Sequence, residues 1–249
     1  MDHTERVRKN VSKLIENKVF AGLSKEWFEQ SIKAEYSYNF EWLGRPLIQY
    51  PTDLVGMQEV FFDTKPDLVI ETGIAHGGSL IFSASMMALL DIYDGVFGIE
   101  PARHVVGIDI EIRPHNRKAI EEHPLFSRIT LLEGSSVDQS LFAELSDIAK
   151  NYKRIMVILD SNHTHDHVLE ELRMYTKLVS VGNYCIVMDT VIENSPIAAL
   201  ADRPWTVGNN PMTAVKQFLA EENNFDVDRE IEHKLGVTVA PNGWLRRTI

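Results

Sequence analysis

Pro66–Ser79 reads PDLVIETGIAHGGS, an apolar run followed by a glycine-containing turn, and a further apolar segment continues over 80–90. The run Leu68–Ile70 fits a parallel strand buried on both faces, and the segment after the glycines fits a helix. Glycines at such a turn let backbone N–H groups approach a ligand at the helix N-terminus. A plain tight turn of an α/β protein is the alternative. If the turn binds a cofactor, the residues expected to bind it are Glu71, Gly73, Gly77 and Ser79.

A second short strand, 105–109, follows one predicted helix later and ends in Asp109. An acid at that strand end is positioned to accept hydrogen bonds from the hydroxyls of a ribose. The first turn is not a G-x-G-x-x-G, and Glu71-Thr72-Gly73 resembles the first motif of S-adenosylmethionine (SAM) methyltransferases more than a dinucleotide fingerprint. The sequence therefore predicts a nucleoside that carries a sulfonium, with Asp109 on its ribose.

The third predicted strand, 129–133, is followed by Ser135, Ser136 and Asp138. In a doubly wound sheet this strand end lies beside the adenine pocket. We therefore expect Ser136, with Ser135 or Asp138 as alternatives, to contact the base. Alternatively, Ser136 or Asp138 caps the next helix, which begins near residue 139. A residue could cap the helix and also contact the base.

Two further predicted strands end in aspartates, Asp160 and Asp189. Carboxylates on the tips of adjacent parallel strands can share one hard divalent cation, and oxygen ligands suit Mg²⁺. Three histidines follow Asp160 closely. His163 is expected to take a chemical role beside Asp160, whereas His165 and His167 are expected to be exposed or to cap the next helix.

Length and composition favour one α/β domain, 66–249, preceded by a helical extension, 1–65, that packs on it. The chain has 249 residues and is 44% apolar, which is enough for a full core. Within the extension, a helix at 54–64 is expected with Thr52 or Asp53 as its N-cap. The extension could also cover the active site and help to form a homo-oligomer.

The net charge of the chain and the distribution of its apolar segments indicate which partners and which cellular compartment to expect. A formal net charge of −11 argues against a nucleic-acid partner. The N-terminus lacks the apolar core of a secretory signal, and no stretch approaches the roughly 18 apolar residues of a membrane span. The single cysteine, Cys185, lies in an apolar run and is expected to be a buried thiol in a reducing environment. We expect no membrane span and a cytoplasmic location.

The last quarter of the chain is predicted to hold a substrate lid and the closing strands. The segment 191–211 has little periodicity and contains Trp205, as is typical of a functional loop. After a helix at 212–222, two closing strands are expected at 225–230 and 237–247.

Several stretches, spread over most of the chain, together resemble the cephalosporin hydroxylase family. They are WLG at 42–44 with Gln49 and Pro51, QE at 58–59, KPDLVIETG at 65–73 with Gly77-Gly78-Ser79, Asp109, GSS at 134–136, DSNH at 160–163, PM at 211–212 with Ala214-Val215, and LRR at 245–247. The resemblance implies a class I methyltransferase fold. Such a fold is a Rossmann-like α/β sheet of seven strands with the last strand antiparallel, and SAM lies over the strand tips.

The same resemblance, which extends to macrolide sugar and catechol-type O-methyltransferases, implies roles at the site. The implied metal ligands are Asp160, Asp189 and Thr190. His163 would be the general base, and Asp160 would also lie beside SAM and take part in catalysis. Relatives often carry an acid just before the second metal aspartate, where this chain has Met188. The third ligand is therefore Thr190, Glu193 or water.

The sequence thus predicts O-methylation of a hydroxyl on a sugar or a related small metabolite. Because methyl transfer from a sulfonium is an in-line displacement, the protein chiefly aligns donor and acceptor. Two rival functions are an NAD(P)-dependent oxidoreductase and a SAM-binding protein without catalysis. The Glu71-Thr72-Gly73 turn argues against the first, and the set of Asp160, His163 and Asp189 argues against the second.

Overall fold

The computed structural model describes residues 2–98, 101–195 and 202–249. A short hairpin precedes a larger sheet, and its strands are β1 (Phe40–Trp42) and β2 (Arg45–Leu47). The strands of the larger sheet are β3 (Leu68–Thr72), β4 (His104–Asp109), β5 (Ile129–Glu133), β6 (Ile155–Leu159), β7 (Tyr184–Val187), β8 (Phe225–Val227) and β9 (Trp244–Arg247). The helices are α1 (His3–Glu16), α2 (Lys18–Lys33), α3 (Pro51–Thr64), α4 (Gly78–Tyr93), α5 (Pro114–Glu121), α6 (Gln139–Ala149), α7 (His165–Tyr175), α8 (Pro211–Glu221) and α9 (Arg229–Leu235).

The larger sheet has seven strands among these residues, in the order β5-β4-β3-β6-β7-β9-β8. Neighbouring strands from β5 to β7 are parallel, whereas β9 is antiparallel to both β7 and β8. This confirms the expected seven-stranded sheet with an antiparallel last strand. Chain order reverses between β3 and β6, so the carboxyl ends of these strands flank the crevice in which open α/β sheets bind ligands.

Apolar layers cover both faces of the sheet. Strands β3, β6 and β7 are buried along their whole length, as expected for parallel strands with helices on each side. On one face α3 and α4 contribute Phe61 and Met87 to the core. On the other face α6 and α7 contribute Leu145 and Leu172. The packed layers on both faces fix the carboxyl ends of these parallel strands at one edge of the sheet.

Tyr50 packs against α2 within the N-terminal extension, and the hairpin joins the extension to the sheet domain. The ring centroid of Tyr50 lies 5.3 Å from that of Phe28, and the Tyr50 hydroxyl is 2.6 Å from Oγ of Ser31. The indole N–H of Trp42 on β1 donates to Oγ of Ser85 on α4 at 3.0 Å. These contacts bring α2 and the hairpin close to the strand tips.

The closing strands are shorter than predicted, and a helix lies between them. β8 ends at Val227, and the carboxylate of Asp228 caps α9 by accepting from the N–H groups of Glu230 and Ile231. The strand prediction is therefore wrong for 228–230 and for 237–243. The capping aspartate starts a helix where the alternation of apolar residues would otherwise continue a strand.

Asp53 and Thr52 lie within α3 and do not form its N-cap. The helix begins at Pro51, where the missing N–H of proline has no intrahelical partner to lose. Asp53 is fully buried. Its carboxylate accepts hydrogen bonds from the Thr238 hydroxyl and, at 3.0 Å, from the Val239 N–H. It thus links α3 to the segment between α9 and β9.

Candidate active site at the strand tips

The turn after β3 contacts the loop after β6 directly. Gly73 has a left-handed backbone with φ of +89°, and its N–H donates to the Ile108 carbonyl at 2.8 Å. A Cβ atom at this position would overlap the backbone carbonyl oxygen of Asp160. Glycine is required here both by the positive φ and by the neighbouring backbone. The turn and Asp160 are therefore held side by side.

Replacing Gly73 by alanine is expected to cost about 1–3 kcal/mol more free energy of unfolding than the same change at Gly182. Gly182 has a similar φ of +84°, and nothing lies within 4 Å of the Cβ that alanine would add. Gly182→Ala therefore carries only the left-handed backbone cost of about 1–2 kcal/mol. Urea unfolding of the two variants measures the difference. Equal losses would show that the contact with Asp160 does not constrain the turn.

Gly77 is required for packing at the start of α4. Its φ is +84°, and an added Cβ would lie 2.6 Å from the side chain of Ile120 on α5. The next residue, Gly78, packs as closely, because a Cβ there would overlap the backbone of Pro46 and Leu47. Gly77 therefore supports the shape of the turn through α5, and its contact with the cofactor stays a prediction.

Glu71 lies beneath the turn. Its carboxylate is buried and accepts hydrogen bonds from the hydroxyls of Ser79 and Ser83 on α4. Burial raises the pKa of Glu71 to about 7, although both hydroxyls act against this. Ser79 also lines a cavity of about 410 Å³ at the strand tips, referred to as the main cavity because it contains the candidate site. Glu71 thus supports the residue that can face the ligand.

The raised pKa of Glu71 predicts a specific pH dependence of stability. Between the ordinary value of 4.5 and about 7, the folded protein holds a proton that the unfolded chain has lost, so the free energy of unfolding falls as pH rises. Glu71→Gln should remove this contribution, which is at most about 1.4 kcal/mol per pH unit. Asp53, whose pKa burial also raises to about 7, contributes equally to both proteins. Urea unfolding across the window measures the two profiles, and parallel profiles would contradict the prediction.

Asp109 organises the same turn from the tip of β4. Its Oδ2 atom accepts from the N–H groups of Ile74 at 2.8 Å and Ala75 at 3.1 Å. From outside, Arg45 donates to the His76 carbonyl at 3.0 Å. Asp109 also lines the main cavity, and the residue predicted to contact the ribose therefore stabilises the turn after β3.

A smaller cavity of about 260 Å³ lies beside Asp109 and is lined in part by Ser136, Ser161 and His167. Ser136 is buried, and its Oγ lies 2.9 Å from Nε2 of His167. Ser161 Oγ donates at 2.7 Å to the buried carboxylate of Glu171. His167 is therefore part of a polar network at the predicted adenine pocket, and the prediction that it would be exposed or capping is wrong.

Two other polar residues near this edge have structural roles. Asp138 caps α6 by accepting from the N–H groups of Ser140 and Leu141, which is the second of the two roles considered for it. His165 bridges two helices, because its ring nitrogens lie 2.8 Å from Thr213 Oγ1 and 3.0 Å from Gln217 Oε1 on α8. The prediction that His165 is exposed or caps the helix is therefore wrong.

Asp160, His163 and Asp189 converge at the tips of β6 and β7. One donor atom from each side chain lies within 4.8 Å of the others, and His163 Nδ1 is 3.1 Å from Asp189 Oδ2. Burial raises the pKa of Asp160 well above its usual range, and the negative charges of Asp189 and Glu71 raise it further. A shared divalent cation would offset both effects, and the two carboxylates suit Mg²⁺.

Thr190 and Glu193, the residues predicted as candidates for the third metal ligand, form hydrogen bonds with residues outside the cluster. Thr190 is fully buried, and its hydroxyl donates to the Pro241 carbonyl at 2.7 Å. Glu193 accepts from the Gly208 N–H at 2.8 Å and from the Asn210 amide. In the structure the third side chain of the cluster is that of His163. The positions of the acidic residues in the sequence did not predict a histidine there.

Part of the predicted lid lies over His163. The indole of Trp205 is 4.6 Å from the His163 ring, centroid to centroid, and the Arg203 guanidinium lies 5.4 Å from the Trp205 ring. All three line the main cavity, which also reaches Asp160 and Asp189. Residues 196–201 of the predicted lid lie outside the described residues.

Gln49 belongs to the site, although no sequence motif predicted a role for it. Its side chain is buried, and its amide nitrogen donates to Asp160 Oδ2 at 3.2 Å. Only its place in the stretches that carry the family resemblance singled it out. A lone glutamine before a helix has no local signal for a contact with a strand tip 111 residues later.

Comparison with known proteins finds relatives over most of the chain. The family described as Rhamnosyl O-methyltransferase/CmcI matches residues 34–248 of the chain. A rhamnosyl O-methyltransferase of Mycobacterium tuberculosis (strain ATCC 25618 / H37Rv) is 30% identical over 198 residues, which cover 79% of this chain and 73% of that protein. A rhamnosyl O-methyltransferase of Mycobacterium leprae (strain TN) is 27% identical over 208 residues, covering 83% and 82%.

Among solved structures, a CmcI structure with Mg and SAM aligns with a TM-score of 0.54 and 18% identity. The alignment covers 85% of this chain and 78% of that chain. At this identity the likeness concerns the fold. The fold is that of the class I methyltransferases, as the sequence predicted.

Proposed function

The chain belongs to the Rhamnosyl O-methyltransferase/CmcI family, and we propose that it transfers the methyl group of SAM to a hydroxyl of a sugar, a rhamnosyl unit being the first candidate. Family membership makes it a SAM-dependent O-methyltransferase. One observation carries the proposal: Asp160, His163 and Asp189 share a cavity with the turn at Gly73. A donor on the turn and an acceptor on the cluster would therefore meet.

The donor side is preorganised by backbone geometry. The turn after β3 and the start of α4 would receive the amino-acid part of SAM, Asp109 the ribose, and the Ser136 side the adenine. Asp109 lines both the main cavity and the smaller one, which supports placing the nucleoside between them. The role of Gly73 is to keep this turn against the Asp160 loop.

Asp109→Asn should weaken SAM binding by at least about tenfold. The amide keeps the shape of the side chain but loses charge-assisted hydrogen bonds of about 1.5–3 kcal/mol each. Glu111→Gln, two residues further along, is the matched control. Calorimetric titration with SAM gives both affinities, and an unchanged affinity for Asp109→Asn would remove Asp109 from the donor site.

On the acceptor side, the cluster can accept a proton. His163 Nδ1 faces Asp189, so an Nδ1–H donated to that carboxylate leaves Nε2 as the proton acceptor. The acceptor oxygen forms a bond to the methyl carbon while the carbon–sulfur bond breaks. The hydroxyl proton moves to His163, and the products are a methyl ether and S-adenosylhomocysteine (SAH).

The donor set fits a divalent cation. Asp160 and Asp189 would hold Mg²⁺, and Gln49, which donates to Asp160, would orient the first of these carboxylates. When bound, such a cation lowers the pKa of a hydroxyl and orients it. The CmcI structure with Mg and SAM supports this choice of metal.

Composition supports small partners in a reducing compartment. The net charge of −11 disfavours nucleic acid, and Cys185 is a buried free thiol. In the part of the chain that the structure describes, no helix is long and apolar enough to span a bilayer. We place the reaction in the cytoplasm.

Calorimetric titration of the purified protein with SAH and with NADH tests the donor directly. Binding of SAH without binding of NADH is expected, because the glycine turn lacks the dinucleotide fingerprint and ends beside a methyl-transfer cluster. Binding of NADH in preference to SAH would favour the oxidoreductase and overturn the proposal.

A further inference from the structure

Asp189 has a backbone conformation that its neighbours must enforce. It is a non-glycine residue with a left-handed φ of +55°, a conformation that is costly and persists only where the surrounding structure holds it. It follows β7 directly and precedes a short 3₁₀ helix, Thr190–Asn194. Its carboxylate lies beside His163, and the direction in which it points depends on this turn. The contacts that fix the turn therefore fix one of the two carboxylates of the cluster.

The segment 238–243, between α9 and β9, binds the chain on both sides of Asp189. One hydrogen bond lies before Asp189 and two lie after it. They run from the Val187 N–H to the Gly243 carbonyl at 2.8 Å, from the Thr190 hydroxyl to the Pro241 carbonyl at 2.7 Å, and from the Val191 N–H to the Val239 carbonyl at 3.1 Å. The turn at Asp189 is thus set by the position of segment 238–243.

Asp53 on α3 anchors segment 238–243 in turn. Its Oδ2 atom accepts from the Val239 N–H at 3.0 Å, and its Oδ1 atom accepts from the Thr238 hydroxyl. Val239 is also the residue whose carbonyl binds the chain just after Asp189. A continuous path of hydrogen bonds therefore runs from the Asp53 carboxyl group to the turn that carries Asp189.

The carboxyl group of Asp53 occupies an unfavourable place for an acid. It is fully buried, and burial raises its pKa to about 7, while the negative charge of Asp189 acts in the same direction. Burying a charged group without a partner of opposite charge is costly. An apolar side chain would avoid that cost, but it could not accept the two hydrogen bonds from segment 238–243.

The N-terminal extension also reaches the other aspartate of the cluster. Gln49, four residues before Asp53, donates to Asp160 Oδ2 at 3.2 Å. The extension therefore contacts Asp160 directly and Asp189 through segment 238–243. The two strand tips that carry the aspartates are thus held from one common side.

Resting on the proposed function, we infer that Asp53 is a positioning residue for the cation site. It acts through Thr238 and Val239, and it holds Asp189 where both aspartates can bind one divalent cation. Replacing residues that orient metal ligands lowers metal affinity. Loss of this anchor should therefore weaken metal binding even in a protein that stays folded.

Two variants of Thr238 test the anchor. Thr238→Val removes the hydroxyl that donates to Asp53 and keeps the shape of the side chain, whereas Thr238→Ser keeps the hydroxyl. The full chain with saturating SAH is titrated with Mn²⁺, which suits the same carboxylate ligands as Mg²⁺, and electron paramagnetic resonance of the free ion gives the affinity. We expect Thr238→Val to bind Mn²⁺ at least fivefold more weakly and Thr238→Ser to stay within twofold of wild type.

A double-mutant cycle tests whether Asp53 and Thr238 act together. Asp53→Asn should weaken Mn²⁺ binding at least threefold. Because both variants break the same path, the double variant Asp53→Asn/Thr238→Val should bind no more than twofold more weakly than the weaker single variant. Fully additive losses would contradict the path from Asp53 through Thr238.

Thr176→Val is the matched control for lost stability. Thr176 is 6% exposed and Thr238 is 9% exposed, and the Thr176 hydroxyl donates to the Leu172 carbonyl within α7. Thr176 does not line the main cavity. Thr176→Val should lower the free energy of unfolding in urea and leave Mn²⁺ affinity unchanged. Equal weakening of Mn²⁺ binding in Thr176→Val and Thr238→Val would reduce the effect to a general loss of packing and overturn the inference.

The outcomes separate this inference from the proposed function. Wild-type Mn²⁺ affinity in folded Thr238→Val and Asp53→Asn would overturn the positioning role and leave the cation site in place. Failure of the wild-type protein to bind Mn²⁺ would remove the cation site itself, and the positioning role with it.

Discussion

Asp160→Asn should lower the rate of methyl transfer by about 10³-fold or more while SAH affinity changes only a few-fold. The carboxylate would be one of two that hold the cation, and the polarisation that a metal supplies is worth several kcal/mol, each 1.4 kcal/mol being tenfold in rate. Asparagine can keep the hydrogen bond to Gln49, so the variant isolates the loss of charge. Steady-state kinetics with SAM and a rhamnoside measure the effect.

Asp166→Asn is the matched control, because Asp166 is exposed on the first turn of α7. Treatment of the wild-type protein with EDTA should reproduce the loss of turnover, and added Mg²⁺ should restore it. Full activity in EDTA would remove the metal from the mechanism and leave Asp160 and Asp189 as polar contacts of the acceptor.

His163→Ala should lower kcat by roughly 10²–10⁴-fold, the usual effect of removing a positioned proton acceptor. The loss should shrink as pH rises, since solvent hydroxide then substitutes for the imidazole. SAH affinity should stay within a few-fold of wild type, because we propose that the donor binds on the turn after β3. A pH series of kcat for both proteins measures the change.

His165→Ala is the control for His163→Ala. His165 lies two residues further along the chain but is bonded to Thr213 and Gln217 on α8. It should keep near-normal kcat in any folded variant. A larger loss in His165→Ala than in His163→Ala would transfer the proton-acceptor role to His165.

The acids of the site could be placed from sequence because each follows an uninterrupted apolar run. Ile155–Leu159 before Asp160 and Tyr184–Val187 before Asp189 are strands buried on both faces, and such strands appear as continuous apolar segments. Parallel strands end at one edge of the sheet, so their tips must be neighbours. Asp109 at the tip of β4 follows the same rule.

The rest of the site depends on pairings between distant segments, which local patterns do not encode. His167 pairs with Ser136, 31 residues earlier, and Gln49 reaches Asp160. Glu35, which lines the main cavity, lies in a left-handed turn that the Asn39 side-chain amide closes by donating to the Glu35 carbonyl. Such contacts belong to tertiary structure and appear only once the strands are assembled.

A local competition explains the error in the closing strands. Phe225 and Val227 alternate as a strand should, but Asp228 is a better helix cap than a strand residue. The cap starts α9. Periodicity alone gave no reason to prefer one outcome.

Transfer of a labelled methyl group tests the central claim most directly. The protein is incubated with Mg²⁺, a rhamnoside and SAM whose methyl group carries deuterium in place of hydrogen, and the acceptor is analysed by mass spectrometry. We predict a product in which one deuterated methyl group replaces a hydroxyl hydrogen, formed together with an equal amount of SAH. In the time that the wild-type protein needs to convert the acceptor, His163→Ala should form no detectable product at neutral pH. An acceptor of unchanged mass, from a folded protein that binds SAH, would contradict the assignment of this site to sugar O-methylation.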